Sequence, residues 1–574
     1  MLTQHGNVIF VDKWQRNSKA DLRSPQQIHT FAPTDGSNES LSSILGSIKW
    51  TEARVNGKYT PVTQHFPKLG NTAKYSESSL SIIDLSHLGK NLSDYQRVIL
   101  TEIFYGKNNL LVSAVAGAGK TTTMELGFKL IPSQRQRKTR YIAFNAHIKD
   151  ELVRRGLPAK TLHGEGFAVW RKEQGTEVSL QIDKLTKLCF ALWGKQTPIT
   201  KIVRKTVAAA KVHGLVPKGL ETKGLVPDTD ASWYNLMQWA NIDSLEIIEK
   251  HSQKMIEMSR TLLMENINEV LKIDFSDMLY LPYVYDSRYP IYETLFVDEA
   301  QDLSPLQHEV LGKMIGPDSQ LVAIGDPYQS IYAFTGADPL SMTRLSKRFD
   351  CLNLPLSVTY RCPRSHVEVA QRLVPEITAG PTATEGQIEV LREWKPENLF
   401  LPGDIVLCRK NKPLVKLAFK CLRQKIKVII KGNDIYERLL SIFQSFKTDS
   451  VTIATDKLQM WYEKLIEATD DDNTIQYYTD LYETARIFLE EATSDKLAEV
   501  IDGIKLIYND QALADGVTLS TVHKAKGLEA KRVFILAPYE FGRAKIDDVI
   551  NAQQERNIEY VALTRSKEYL GILM

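Results

Sequence analysis

The chain has 574 residues, of which 43% are hydrophobic and 25% charged. Those are the averages of globular proteins and exclude a disordered, fibrous or collagen-like chain; at roughly 150 residues per domain, about four domains are expected. Lys plus Arg number 72 against 69 Asp plus Glu, a net charge of +3 that announces no polyanionic partner, so any nucleic-acid surface must be local.

Cys189, Cys351, Cys362, Cys408 and Cys421 show no CxxC spacing and no paired histidine tract. Free thiols in a reducing compartment are therefore expected, not a disulfide framework or a zinc site. The start, MLTQHGNVIFVDKW, lacks the basic opening and long apolar stretch of a signal peptide, and no run of 18 apolar residues occurs. The expectation is a cytoplasmic or nucleoid-associated protein, not secreted and with no membrane partner.

Residues 1–90, rich in Ser, Thr, Asn and Gly, read as an N-terminal extension of unknown role. From Leu92 onward, short apolar runs (LLVSAV, RYIAFN, ETLFVDEA, QLVAIGD, DIVLCR, VTLSTV, RVFILA) alternate with helical stretches. That alternation predicts an α/β core of parallel sheets, built twice: residues 91–350 and 351–574. Two helical, strand-poor segments, about 165–275 and a shorter one about 435–512, read as insertions. The acidic run Glu467 to Asp472 reads as a solvated loop within the second, and Lys201, Arg204, Lys205 and Lys211 in the first as a basic stretch facing either DNA phosphates or solvent.

Leu110 to Val115 is an apolar strand, followed by a small-residue loop and then Lys120-Thr121 opening a helix. This is the context of a Walker A loop, which wraps phosphate oxygens with backbone N–H groups; Gly117 and Gly119 keep that approach open. Lys120 would reach the β/γ-phosphates and the Thr121 hydroxyl would hold Mg²⁺. Ser113, Ala114, Val115, Ala116, Ala118 and Thr122 complete the nucleotide-binding stretch, with Ala114 where the strict pattern has glycine. A second strand, Glu293 to Val297, ends in adjacent carboxylates, Asp298 and Glu299. In-line phosphoryl transfer needs a held Mg²⁺, here at Asp298, and a polarised water, here at Glu299.

With DEAQD beside AVAGAGKTT, the chain resembles the UvrD/Rep group of superfamily 1 DNA helicases, and among them is similar to the F-box DNA helicase type. The resemblance covers roughly residues 90 to 574, and its motifs occur in the family's order. It implies two RecA-like P-loop NTPase domains with helical insertions, binding ATP and Mg²⁺ between them and single-stranded DNA across them. Gln96 of LSDYQ would read the adenine. Phe144 and Asn145 of YIAFNA and His163 of TLH would contact DNA, the aromatic ring stacking on a base as any base permits. In GDPYQSIYAFTGA, Gln329 would sense the γ-phosphate while Tyr332 and Phe334 face the strand; Phe334 and Thr335 depart from the family's usual Trp and Arg.

Tyr360 and Arg361 of TYRCP would stack on adenine and reach the γ-phosphate. In TVHKAKGLE, His523 would touch DNA and Glu529 the ribose. Arg565 would be a second γ-phosphate arginine. The implied activity is an ATP-dependent 3′-5′ DNA helicase or translocase acting on single-stranded DNA or on DNA with a 3′ single-stranded tail, in repair, recombination or replication; protein partners are undefined. The reduced second insertion and Thr335 keep an alternative open, an ATP-gated single-stranded DNA-binding switch or protein-displacing translocase without processive unwinding.

Overall fold

An unbroken apolar run such as Leu110-Leu-Val112 satisfies its side chains only where both faces of a strand are covered, and this is how the chain folds. A computed structural model describes residues 92–574 apart from 107, 176, 195–196, 241–244, 332–337, 339, 468–471, 509–514 and 542–548. The N-terminal extension, Tyr332, Phe334 and Thr335 lie outside the described residues, as do 468–471 of the acidic run.

The first sheet begins with β1 (Leu110–Ala114), β2 (Thr139–Ala143) and β3 (Ala159–Thr161). The first helical insertion follows, carrying a two-residue parallel pair, β4 (Ser179–Leu180) with β5 (Lys272–Ile273). β6 (Tyr292–Val297), β7 (Ile315–Gly325) and β8 (Leu352–Leu356) complete the sheet, in the spatial order β3-β2-β6-β7-β1-β8 with every pairing parallel. It runs past the division expected at residue 350, because β8 pairs along its whole length with β1, from Leu110 opposite Leu352 to Ala114 opposite Leu356.

A short connecting pair, β9 (Val358–Thr359) and β10 (Thr378–Ala379), leads into the second sheet. That sheet contains β11 (Gln387–Leu391), β12 (Ile405–Cys408), β13 (Val428–Lys431), β14 (Val517–Thr521), β15 (Ala530–Leu536) and β16 (Ser566–Leu573), also wholly parallel, in the order β11-β16-β15-β12-β14-β13. All seven apolar runs read from the sequence lie in strands of these two sheets. The result is two open parallel sheets covered by helices, the architecture expected of RecA-like domains.

The first insertion contains the helices Lys184–Trp193, Pro198–Val212, Asp230–Ala240 and Leu245–Asn268. An ionic knot lies at its heart. Lys184 Nζ is 2.7 Å from Asp277 Oδ2, and Lys211 Nζ is 2.7 Å from Asp274 and 2.6 Å from Asp277. Lys211 is thus a core residue and not part of a DNA-facing surface, whereas Lys201 and Lys205 on the same helix are exposed. Two lysines and two aspartates balance in charge, which is what makes burial of all four tolerable. The second insertion, helices Asn433–Ser445, Val451–Glu467, Asp472–Glu490 and Leu497–Ile507, packs instead through Phe443, Leu458, Leu481, Ala485, Phe488 and Ile504. All five cysteines are buried and unpaired. Among the described residues no helix is long and apolar enough to cross a membrane.

Candidate nucleotide cleft and DNA-facing surface

In a parallel sheet every strand ends on the same side, so the segments following the strands form one continuous rim. β1 runs into Val115–Gly119, β2 into Phe144 and Asn145, β6 into Asp298 and Glu299, and β7 into Asp326. His163 lies in the first turn of the helix that follows β3. The Walker loop turns through Gly117 (φ 71°) and Gly119 (φ 80°), a left-handed conformation open to glycine. Gly117 has a second constraint: a Cβ there would come within 2.5 Å of Arg361 Cβ. The Tyr360 N–H also donates to Gly117 O at 2.9 Å, so TYRCP lies directly on the loop.

Lys120 opens the helix Lys120–Leu130 and its ammonium lies 2.9 Å from Glu299 Oε1. Glu299 itself is left-handed, φ 50° and ψ 43°, a conformation non-glycine residues adopt at a cost and keep where neighbours fix it. Here Gln301 Nε2 donates to Glu299 Oε2 at 2.5 Å, and the Glu299 N–H donates to Asp298 Oδ1 at 2.9 Å. Burial and the adjacent Glu299 charge push the Asp298 carboxyl up from its ordinary range. Burial opposes ionisation of Glu299 too, but Lys120 and Lys526 overcome it and hold that carboxyl well down. Two adjacent acids are thereby made chemically unequal.

The second sheet supplies the opposing wall. Arg565, fully buried, donates through Nη2 to Gln329 Oε1 at 3.2 Å, and Gln329 Nε2 donates to Asp326 Oδ2 at 2.7 Å. Burial and the nearby Arg361 lower the Arg565 guanidinium to about 10. Lys526 crosses from the TVHKAKGLE segment to pair with Asp302 and to donate to Gln329 O at 2.7 Å. Lys120, Asp298, Glu299, Gln329 and Arg565 are therefore brought together as expected.

Other expected residues are differently engaged. Arg361 Nε lies 2.6 Å from Glu529 Oε2 and Nη1 donates to Thr564 O at 3.4 Å; Glu529 also pairs with Lys567. Gln96 is buried, its amide accepting from the Ser93 N–H at 3.1 Å and donating to Thr123 Oγ1 at 3.0 Å, so reading a base would require it to exchange these partners. Tyr360 is 45% exposed, a ring face open to stacking.

On the rim beyond β2 Phe144 is exposed, while Asn145 caps the next helix by accepting from the Ile148 N–H at 2.9 Å. Burial holds His163 down at about 4 and His523, beside Arg409, Lys524 and Lys526, at about 3; both rings are neutral at pH 7. Sequence reasoning did not single out Phe275, which stands 57% exposed with its ring centroid 5.8 Å from that of His163. An apolar residue flanked by Asp274 and Ser276 gives no local signal; only folding of the insertion sets it beside the TLH motif. Asp302, Asp326 and Lys526 were also passed over, although each stands inside a quoted motif.

Comparison with known proteins finds two family models that match segments of the chain. The UvrD/REP helicase N-terminal domain matches residues 156–350 and the UvrD-like helicase C-terminal domain matches residues 516–573. Both matched segments are those of UvrD/Rep-type helicases. ATP-dependent DNA helicase UvrD2 of Mycobacterium tuberculosis (strain ATCC 25618 / H37Rv) is 25% identical over 330 residues, covering 49% of this chain and 47% of that protein. F-box DNA helicase protein 1 of Schizosaccharomyces pombe is 22% identical over 523 residues, covering 84% of this chain and 57% of that protein. F-box DNA helicase 1 of Gallus gallus is 22% identical over 544 residues, 86% and 49% respectively. The chain thus spans about half the length of these curated relatives. The two matched segments contain Asp298, Glu299 and Gln329 on one side and His523, Glu529 and Arg565 on the other.

Proposed function

We propose that this chain is an ATP hydrolase that moves 3′ to 5′ along single-stranded DNA and separates duplexes carrying a 3′ single-stranded tail. The observation that carries the reading is that Arg565 from one sheet reaches Gln329 of the other, whose partner Asp326 acts by its charge on Lys120, itself paired with Glu299. Opposite walls completing one site make hydrolysis depend on closure, and closure is a motion that can be spent on translocation.

The cleft suits ATP and Mg²⁺ on its own chemistry: a glycine loop where a Cβ would intrude, a helix N-terminus opened by a lysine and a threonine, and the buried acids Asp298 and Asp326. Thr121 and Asp298 would hold Mg²⁺, which supplies charge neutralisation between the phosphates. Lys120 leaves Glu299 for the phosphates, and the freed Glu299, kept ionised, orients and deprotonates the attacking water. Gln329, Arg361 and Arg565 meet the γ-phosphate, so Arg361 exchanges Glu529 for it while Glu529 turns to the ribose. Gln96 and Tyr360 hold the base. Phe144, His163 and Phe275 form a rim on which bases stack or rest, continued by His523 from the second sheet.

The test is steady-state ATP hydrolysis with and without single-stranded DNA, then strand separation on duplexes with 3′ or 5′ tails. DNA-stimulated hydrolysis with separation of the 3′-tailed duplex supports the proposal. Stimulation without separation moves the assignment to a translocase or ATP-gated switch, and hydrolysis indifferent to DNA refutes the coupling.

A further inference from the structure

The helix Val549–Leu563 leads from the second domain into Arg565, and its inward side chains reach across to the first domain at two further points. Asn557 Nδ2 donates to Ser330 O at 2.8 Å. One turn on, the Tyr560 hydroxyl accepts a hydrogen bond of 2.9 Å from the Ala116 N–H of the Walker loop, a residue 444 positions away in the chain. Tyr560 is fully buried, and its ring meets that of Tyr328 edge-on at 6.1 Å. The phenol therefore bonds to the phosphate loop itself, in the first domain, from the helix that carries the closing arginine.

We propose that Tyr560 is a positioning residue that couples closure of the cleft to the shape of the phosphate loop, an inference that rests on the ATP-hydrolase reading above. Three backbone bonds hold the loop from other directions: Val115 N–H to Leu356 O at 3.0 Å, Ala118 N–H to Val115 O at 3.2 Å and Gly117 O from the Tyr360 N–H at 2.9 Å. Of the four, only the Ala116 bond has its partner in the helix that precedes Arg565. When the second domain withdraws, water reaches the Ala116 N–H; when it closes, water is excluded and the phenol oxygen takes its place. Removing that oxygen penalises the closed form alone, since a buried donor without a partner exists only there. The same helix then advances Arg565 and fixes the loop in one movement, so that the arginine arrives at a loop already shaped.

The test is Tyr560→Phe in the full chain, which deletes one oxygen and keeps the ring against Tyr328. Thermal melting first establishes that the variant folds as the parent does. Two readouts follow. Hydrogen exchange of the peptide spanning Val115–Ala118, measured without nucleotide, is expected to lose protection about tenfold at Ala116. With ATP and single-stranded DNA, kcat is expected to fall about tenfold, while the dissociation constant for a non-hydrolysable ATP analogue changes less than twofold.

Unchanged exchange at Ala116 overturns the proposal whether or not the chain hydrolyses ATP. An equal weakening of kcat and analogue binding also overturns it, because that is the signature of a packing role. A parent chain that hydrolyses no ATP refutes the reading of the cleft, and the exchange comparison still judges Tyr560.

Discussion

The two walls of the cleft are built from opposite chemistry. The wall from the first sheet buries three acids, Asp298, Asp302 and Asp326, and half-buries a fourth, Glu299, around the ammonium of Lys120. The second sheet faces it with Arg565 and Lys526, and Arg361 stands on the segment between the sheets. Burial drives both Asp302 and Asp326 up to about 6, so this wall holds its negative charge reluctantly. Burial and a like-charged neighbour bring Arg565 down to about 10, so the other wall holds its positive charge reluctantly too. Each wall is eased by the other, and the lesson is that the two sheets meet across the cleft as electrostatic complements.

Four substitutions break or sharpen that contrast. The largest effect is expected from Lys120→Ala, which strips the acidic wall of its own cation: kcat/KM for ATP should fall by a thousandfold or more, about 4 kcal/mol in the transition state. Retention of a tenth of the parent's turnover would remove Lys120 from the phosphate site. Glu299→Gln should leave binding of a non-hydrolysable analogue intact, since Lys120 loses a competing partner, yet lower kcat by roughly a hundredfold to a thousandfold. Weakened binding with unaltered turnover would assign Glu299 to nucleotide holding instead.

Arg565→Lys keeps the charge of the basic wall but not the planar fork, and roughly a hundredfold loss of kcat is expected. A full-activity lysine variant would show that net charge suffices there.

The smallest effect lies behind the acidic wall, at His308, whose Nε2 is 2.9 Å from Ser341 Oγ while Ser341 donates to Ala300 O at 2.5 Å. Burial, then Arg344 and Arg348, depress this imidazole to about 3. A base whose folded pKa lies below its unfolded value of about 6.5 loses stability as pH falls through that range, by about 3 kcal/mol at pH 4. Denaturant melts of His308→Asn should be less stable than the parent at pH 8, through the lost hydrogen bond, but should decline less between pH 7 and pH 4. Parallel pH dependence in the two proteins would mean that His308 ionises freely in the fold.

Much of this was legible in the sequence because the relevant physics is local. Strand runs announce themselves by unbroken apolar character, and a phosphate loop by small residues between a strand and a helix, since backbone N–H groups must approach an anion without side chains intervening. Lys120, Asp298 and Glu299 follow from that logic alone, each placed at the carboxyl end of a strand or the amino end of a helix.

What the sequence could not determine was pairing across distance. Lys211 reads as one cation of a basic stretch, and only the approach of Asp274 and Asp277 from the far side of the insertion makes it a core residue. β8 continues the first sheet because Leu352–Leu356 aligns with β1, a register that no local pattern encodes. Phe275 meets His163, Lys526 meets Asp302, and Tyr560 meets Ala116 only when two sheets and an insertion have docked. Periodicity and motif spacing are set by neighbours a few residues apart. The cleft's charge balance and its closing contacts are set by desolvation and packing between segments hundreds of residues apart, and those exist only in the folded chain.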